Sequence, residues 1–185
     1  VDDLRNTTNN VGMLETSGIE IGGSYSWETA YGDFALGVDA RQLDNYDVTL
    51  ANGDLQMAAG YVLGSSRDNF VDFKMNTSLR WSMGDMFASA SLQHFGDGKG
   101  VANNPPTMTA TGLVTETARD IDPITYLDVQ YGMVLPEYNA TVRVGIDNLL
   151  DEDPTFFPET FANDFDPAYR TWGSMHYYAN VSISF

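Results

Sequence analysis

Met175-His176-Tyr177-Tyr178-Ala179-Asn180-Val181-Ser182-Ile183-Ser184-Phe185 is the last stretch of the chain and decides how the rest is read. Met175, Tyr177, Ala179, Val181, Ile183 and Phe185 make one apolar series. His176, Tyr178, Asn180, Ser182 and Ser184 make a polar one between them. Side chains of a strand alternate with a period of two, so this is a strand with an oily face and a wet face. A soluble sheet has a use for such a strand. A strand that ends on an aromatic, after several of the same kind, fits an outer-membrane β-barrel better.

Six upstream segments repeat the pattern: 19–27, 34–41, 71–81, 86–93, 127–135 and 141–147. In 71–81, for example, Val71, Phe73, Met75, Thr77, Leu79 and Trp81 oppose Asp72, Lys74, Asn76, Ser78 and Arg80. None of the seven apolar faces holds a charge. The polar faces hold Glu20, Asp39, Arg41, Asp72, Lys74, Arg80, Asp128, Arg143 and Asp147, four basic and five acidic. The expectation is an all-β antiparallel meander of about seven amphipathic strands, forming part of a larger transmembrane β-barrel. It should be antiparallel throughout, with 19–27 and 172–185 at its edges.

The connections sort by length. Glu28–Asp33, Ser82–Asp85 and Pro136–Ala140 are short; 42–69, 96–123 and 148–172 are long. Structureless loops above about 15 residues are uncommon in compact soluble domains. Short turns on one rim and long loops on the other are the barrel arrangement. If the last strand ends on the periplasmic side, every short turn is periplasmic and every long loop lies outside. Trp27, Tyr31, Phe34, Trp81, Phe87, Tyr138 and Phe185 flank the short turns, where rings with a polar edge favour the lipid headgroup level. A soluble β-sandwich acting as a binding module is the alternative, with the same aromatics in its core.

Composition narrows the function. There is no cysteine, hence no disulfide framework and no thiolate site. Two histidines, His94 and His176, lie far apart in sequence and do not suggest a metal centre or triad. No apolar run approaches the ~20 residues of a membrane helix, which leaves a barrel open. The net charge of −17 argues against nucleic acid. Most of it lies in loops, where solvation explains it more simply than divalent-cation binding. No nucleophile elbow, phosphate loop or zinc pattern occurs, so no catalytic residue, metal ligand or cofactor is assigned. The chain opens Val1-Asp2-Asp3-Leu4, without initiator Met or leader, and is read as a mature chain or a fragment.

Val144-Gly145-Ile146-Asp147-Asn148-Leu149-Leu150-Asp151-Glu152-Asp153-Pro154 resembles the "gv-NLFD-x-x-P" segment of TonB-dependent receptors. There it sits on the penultimate strand, before a long aromatic and acidic loop and a closing strand ending in Phe. Thr16-Ser17-Gly18-Ile19-Glu20-Ile21 is similar to the family's "GvE" strand entry, and Asp72-Phe73-Lys74-Met75-Asn76 to its "p-x-x-k-x-n" strand. After the loop many relatives have Gly-Arg-Tyr; this chain has Trp172-Gly173-Ser174-Met175-His176-Tyr177. The resemblance implies that residues 1–185 are the C-terminal segment of a barrel whose plug domain and other strands lie elsewhere, since that barrel has twenty-two strands. It implies a bacterial outer-membrane active-transport receptor for a scarce ligand: an iron chelate, cobalamin or an oligosaccharide. Its partners would be outer-membrane lipid, the TonB complex acting through the plug, and the barrel assembly machinery, which would read Tyr177 and Phe185. A porin or an adhesin is the rival barrel; a barrel enzyme would need a nucleophile and base, and none is evident.

Two expectations about residues complete the reading. Asn148 and Asp151 are suited to bond backbone where the strand ends, and Pro154 cannot join a ladder. Asp147 to Pro154 is therefore a strand exit rather than a chemical site. For ligand contact the candidates are the loop aromatics Tyr46, Tyr61, Phe156, Phe157, Phe161 and Tyr169.

Overall fold

The computed structural model describes residues 12–64, 68–158 and 174–184. In chain order its strands are β1 (Met13–Thr29), β2 (Gly32–Thr49), β3 (Leu55–Met57), β4 (Tyr61–Leu63), β5 (Asp68–Asn69), β6 (Phe73–Met83) and β7 (Met86–Phe95). There follow β8 (Gly98–Val101), β9 (Thr107–Thr109), β10 (Gly112–Val114), β11 (Arg119–Ile121), β12 (Ile124–Leu135), β13 (Ala140–Asp147) and β14 (His176–Ile183). The seven long strands form one antiparallel meander, β1-β2-β6-β7-β12-β13-β14, curled into a half-barrel. Among the described residues β1 pairs with β2 and β14 with β13, which puts these two at the open edges. Phe185 lies outside the described residues.

Register explains why alternation was so clean. Tyr25, Leu36, Leu79, Ala90, Val129, Ile146 and Tyr177 are consecutive cross-strand partners, one from each long strand. All seven are apolar-bodied and share one face. The adjacent row on the opposite face runs Ser26, Ala35, Arg80, Ser89, Gln130, Gly145 and Tyr178. The apolar face is open: Val144 is 48% and Val181 60% exposed, so neither packs inside a closed two-sheet core. That rules out the soluble sandwich for this chain. On the polar face side chains reach across two strands, as on the concave side of a curled sheet: the Tyr178 hydroxyl donates to Gln130 Oε1 at 3.2 Å.

The buried core lies elsewhere. Val62, Val71, Phe95, Ile121, Ile124, Tyr126 and Phe157 form a cluster at the long-loop rim. It is roofed by a second sheet, β11-β8-β4-β5, formed by the two long connections 42–69 and 96–123, whose pattern predicts loops. The seven-strand meander is antiparallel throughout, as expected, but in this second, unanticipated sheet β4 and β8 run parallel, Tyr61 opposite Lys99 and Leu63 opposite Val101. The two strands come from different connections, so no hairpin dictates their direction. Val71, assigned above to an exposed strand face, belongs to this core, because β6 starts only at Phe73 and the chain bends at Asp72.

The main strands outrun their apolar stretches. β1 and β2 stay paired from Thr29/Gly32 to Met13/Thr49, with a bulge in which Ser17 faces Asn45 while Gly18 faces Leu43, leaving Asp44 extra. A one-residue bulge inverts the phase of the strand beyond it. Tyr46 and Val48 therefore turn to the concave face. There β3, β9 and β10 extend the sheet beyond β2.

At the short-turn rim, tight turns need special backbone. Gly32 (φ 110°) and Gly84 (φ 58°) supply the left-handed conformation after β1 and β6. A 3₁₀ turn, Pro136–Tyr138, followed by Asn139 at φ 46°, joins β12 to β13.

Candidate functional site

Among the described residues the concave wall and its cap concentrate polar groups within a framework. Register stacks the charges. Glu20, Arg41 and Lys74 are cross-strand partners, as are Asp39 and Asn76, and these five line a hollow of about 500 Å³. A second hollow of about 450 Å³, nearer the short turns, is lined by Asp33, Arg80, Phe87, Ser89 and Gln130 among others. Both signs are present on this wall, with Arg41 and Lys74 side by side and Glu20 and Asp39 near them, so it carries little net charge of its own. The convex side has the reverse chemistry: Tyr131, Met133, Leu135, Val142 and Val144 border a shallow hollow with no polar surface.

Cations are laid on rings at both ends of β7's concave face. Lys74 Nζ lies 5.3 Å from the Phe95 centroid, and the Arg143 guanidinium 5.7 Å from that of Phe87. This corrects Phe87, expected among the aromatics at the lipid boundary. Its ring is on the concave face over Gly132, where a β-carbon would clash with Phe87 Cζ. Trp27 and Phe34 stay on the convex face, stacked 5.2 Å apart, and Trp81 Nε1 donates to the Tyr31 carbonyl at 2.7 Å.

The candidate ligand aromatics separate. Tyr46 packs on Phe70 with centroids 4.2 Å apart and the rings tilted by 33°, and the Phe70 N–H donates to the Tyr61 carbonyl at 2.9 Å. Tyr46 and Tyr61 are thereby brought into one group through Phe70, a residue the sequence reading passed over. Phe156 is 63% exposed. Phe157 is buried in the cap, its ring against Gly100 and Ile121, so its faces are taken up by packing. Phe161 and Tyr169 lie outside the described residues. Tyr177 stands on the convex face of β14, 73% exposed.

Two polar devices hold the cap. The Glu116 carboxylate accepts the Asn103 N–H at 3.0 Å, the Asn104 N–H at 3.1 Å and the Asn104 amide at 3.2 Å. Donation by the Asn103 backbone, aided by Asn104 and opposed by partial burial, holds this carboxyl below its ordinary range. Lys99 is bonded to Asp120, which raises its ammonium above the usual value. Neither Glu116 nor the inward phase of Phe95, Ile124 and Tyr126 was foreseen. The second was detectable: Ile124 and Tyr126 continue the phase of Asp128 and Gln130, so apolar residues there had to meet something on the polar side.

The strand exit is built as expected in kind, with one difference of partner. Asn148 is 2% exposed at φ 55°; its amide donates to the Glu152 carbonyl at 2.9 Å and its carbonyl accepts the Glu152 N–H at 3.1 Å. The Asp151 carboxylate does not serve its own turn but accepts the Met175 N–H at 2.9 Å, at the threshold of β14. His94 Nδ1 lies 2.8 Å from the Thr125 hydroxyl rather than a carboxylate. Among the described residues no group of three or more His, Asp or Glu is placed to hold a metal ion. No helix is long and apolar enough to cross a membrane, which says nothing of strands.

No protein-family model matches this chain, and no curated protein matches it by sequence. Among solved structures it is similar to a mutant of the ferric enterobactin receptor of Pseudomonas aeruginosa, with a TM-score of 0.54 at 17% identity. The likeness covers 93% of this chain and 22% of that receptor, so the chain spans under a quarter of its structural neighbour's length. At this identity the likeness is one of fold: this half-barrel is built like part of that receptor.

Proposed function

We propose that this chain is the C-terminal part of the barrel of a TonB-dependent receptor, which imports a scarce ligand across the bacterial outer membrane. The observation that carries the proposal is the exposed convex face. It is apolar on every long strand while the concave face is polar, and the buried core is confined to the cap at one rim. Apolar area of this extent is stable only against a non-aqueous partner, and outer-membrane lipid is that partner. The open edges of β1 and β14 would be closed by strands outside this chain, because unpaired backbone is not tolerated in hydrocarbon.

On this reading the polar wall faces a lumen and the cap lies at the outer mouth. Tyr46, Tyr61 and Phe156, with Phe161 and Tyr169 beyond the described residues, are the ligand-facing candidates; Phe157 supports them from the core. The ligand is an iron chelate, cobalamin or an oligosaccharide, and the structural neighbour's ferric enterobactin favours the first. Energy comes through TonB acting on a plug encoded upstream. The test uses the whole parent protein. Spin labels at Leu36, Met75 and Val129, all on the convex face, should report acyl chains in a reconstituted bilayer, and uptake of the ligand should require TonB. Labels that report water would sink the membrane assignment. Uptake that persists without TonB would leave a porin-like barrel.

A further inference from the structure

Period-two alternation fixes which face of a strand points outward, but it is blind to a slip of two residues. On β14, Tyr177, Ala179, Val181 and Ile183 are interchangeable under such a slip, and so are Val142, Val144 and Ile146 on β13. The convex face therefore cannot specify how the terminal strand is paired.

The concave face can. On β13 it presents Thr141, Arg143, Gly145 and Asp147, and Gly145 alone lacks a side chain. Tyr178 is its partner, and the ring lies directly on it: a β-carbon on Gly145 would clash with Tyr178 Cζ and its hydroxyl oxygen. The ring crosses β13 and donates to Gln130 on β12. From the other side Phe87 of β7 lies over Gly132 of β12 and reaches Arg143 of β13. Gln130 faces Gly145 and Gly132 faces Arg143. The two rings thus come in from opposite directions onto one β12–β13 ladder, each seated on a glycine and each touching the strand beyond. A slip of two at β14 would set Tyr178 against Arg143 or Asp147, where a side chain already fills the seat.

We infer that Tyr178 on Gly145, mirrored by Phe87 on Gly132, is a register lock that selects the pairing of β14 and with it the edge at which the sheet continues. Tyr178 is in this sense a positioning residue. The lock depends on the geometry of β12 to β14 and not on ligand or TonB, so its failure leaves the transport reading intact.

The test reads register in the assembled parent protein. Cysteines at Val144 and Ala179, direct partners on the convex face, should form a disulfide on mild oxidation. Pairs at Val144 with Tyr177, and at Val144 with Val181, report the two slipped registers. Tyr178→Ala should move cross-linking at least several-fold from the first pair to the slipped pairs, or abolish assembly. Tyr178→Phe, which keeps the ring and loses the bond to Gln130, should assemble in register. Tyr178→Ala cross-linking at 144 and 179 as the parent does would overturn the lock. Failure or slippage of Tyr178→Phe to the same extent as Tyr178→Ala would also overturn it, since the ring itself would then not be what matters.

Discussion

An arginine placed on the convex face distinguishes lipid from water through its dependence on depth. Leu79 and Met83 lie four positions apart on β6, both on that face, 38% and 44% exposed. At a rise of about 3.3 Å per residue they are ~13 Å apart along the strand. Leu79 belongs to the apolar row that runs through all seven long strands, whereas Met83 abuts the Gly84 turn at the rim. In a bilayer Leu79→Arg should cost about 2–4 kcal/mol and Met83→Arg about 0–1 kcal/mol, because the penalty falls from midplane to interface. The difference corresponds to roughly a 5- to 700-fold change in the folding equilibrium at about 1.4 kcal/mol per tenfold. The assay is urea-dependent folding of the whole parent protein into phospholipid vesicles. If both variants cost the same within about 0.5 kcal/mol, as expected for two water-exposed surface sites, the membrane assignment of this face is wrong.

Phe157→Ala should destabilise the cap by about 3–5 kcal/mol, the usual cost of emptying a buried aromatic site; hydrogen exchange would rise at 61–63, 98–101 and 119–121 while the β6–β7 ladder stays protected. Glu116 has its carboxyl held below the ordinary value of 4.5 when folded, so its contribution to the cap is present above that value and is lost as the pH falls through the lowered one. Exchange at 102–104 measured between pH 7 and pH 3 should show this, and Glu116→Gln should raise exchange at pH 7 and flatten the profile. Replacing Tyr177 and Phe185 together by Asp should lower the outer-membrane level of the parent receptor several-fold in fractionated cells; an unchanged level would remove them from the assembly signal.

How far the sequence was readable followed the physics of each region. Where a strand has two unlike faces, each residue belongs to one of them, and the pattern states which: Val142, Val144 and Ile146 against Arg143, Gly145 and Asp147. Beyond the apolar band the two faces of β1 and β2 are no longer sorted into apolar and polar. Glu15 to Ser17 opposite Asn45 to Asp47 then carry no period, and both strands were cut short. The candidate site was less legible than the fold. Tyr46 and Tyr61 were found by residue type, but what joins them is Phe70, brought near by backbone bonding across a connection. Phe157 was indistinguishable in sequence from its neighbour Phe156; in the fold Phe157 is buried against Gly100 and Phe156 is exposed.

By itself the sequence determined the seven-strand meander, its two unlike faces, the short-turn rim and the turn at Asn148, because these depend on nearest neighbours and on the contrast between two environments. Only the tertiary structure decided that the long connections fold into a cap with a parallel pair, that the bulge at Asp44 turns Tyr46 inward, and that Phe87 and Tyr178 lie across glycines of adjacent strands. Each of these is a contact between residues distant in the chain. Such a contact leaves no period along the sequence, because what selects it is the space another strand happens to leave open.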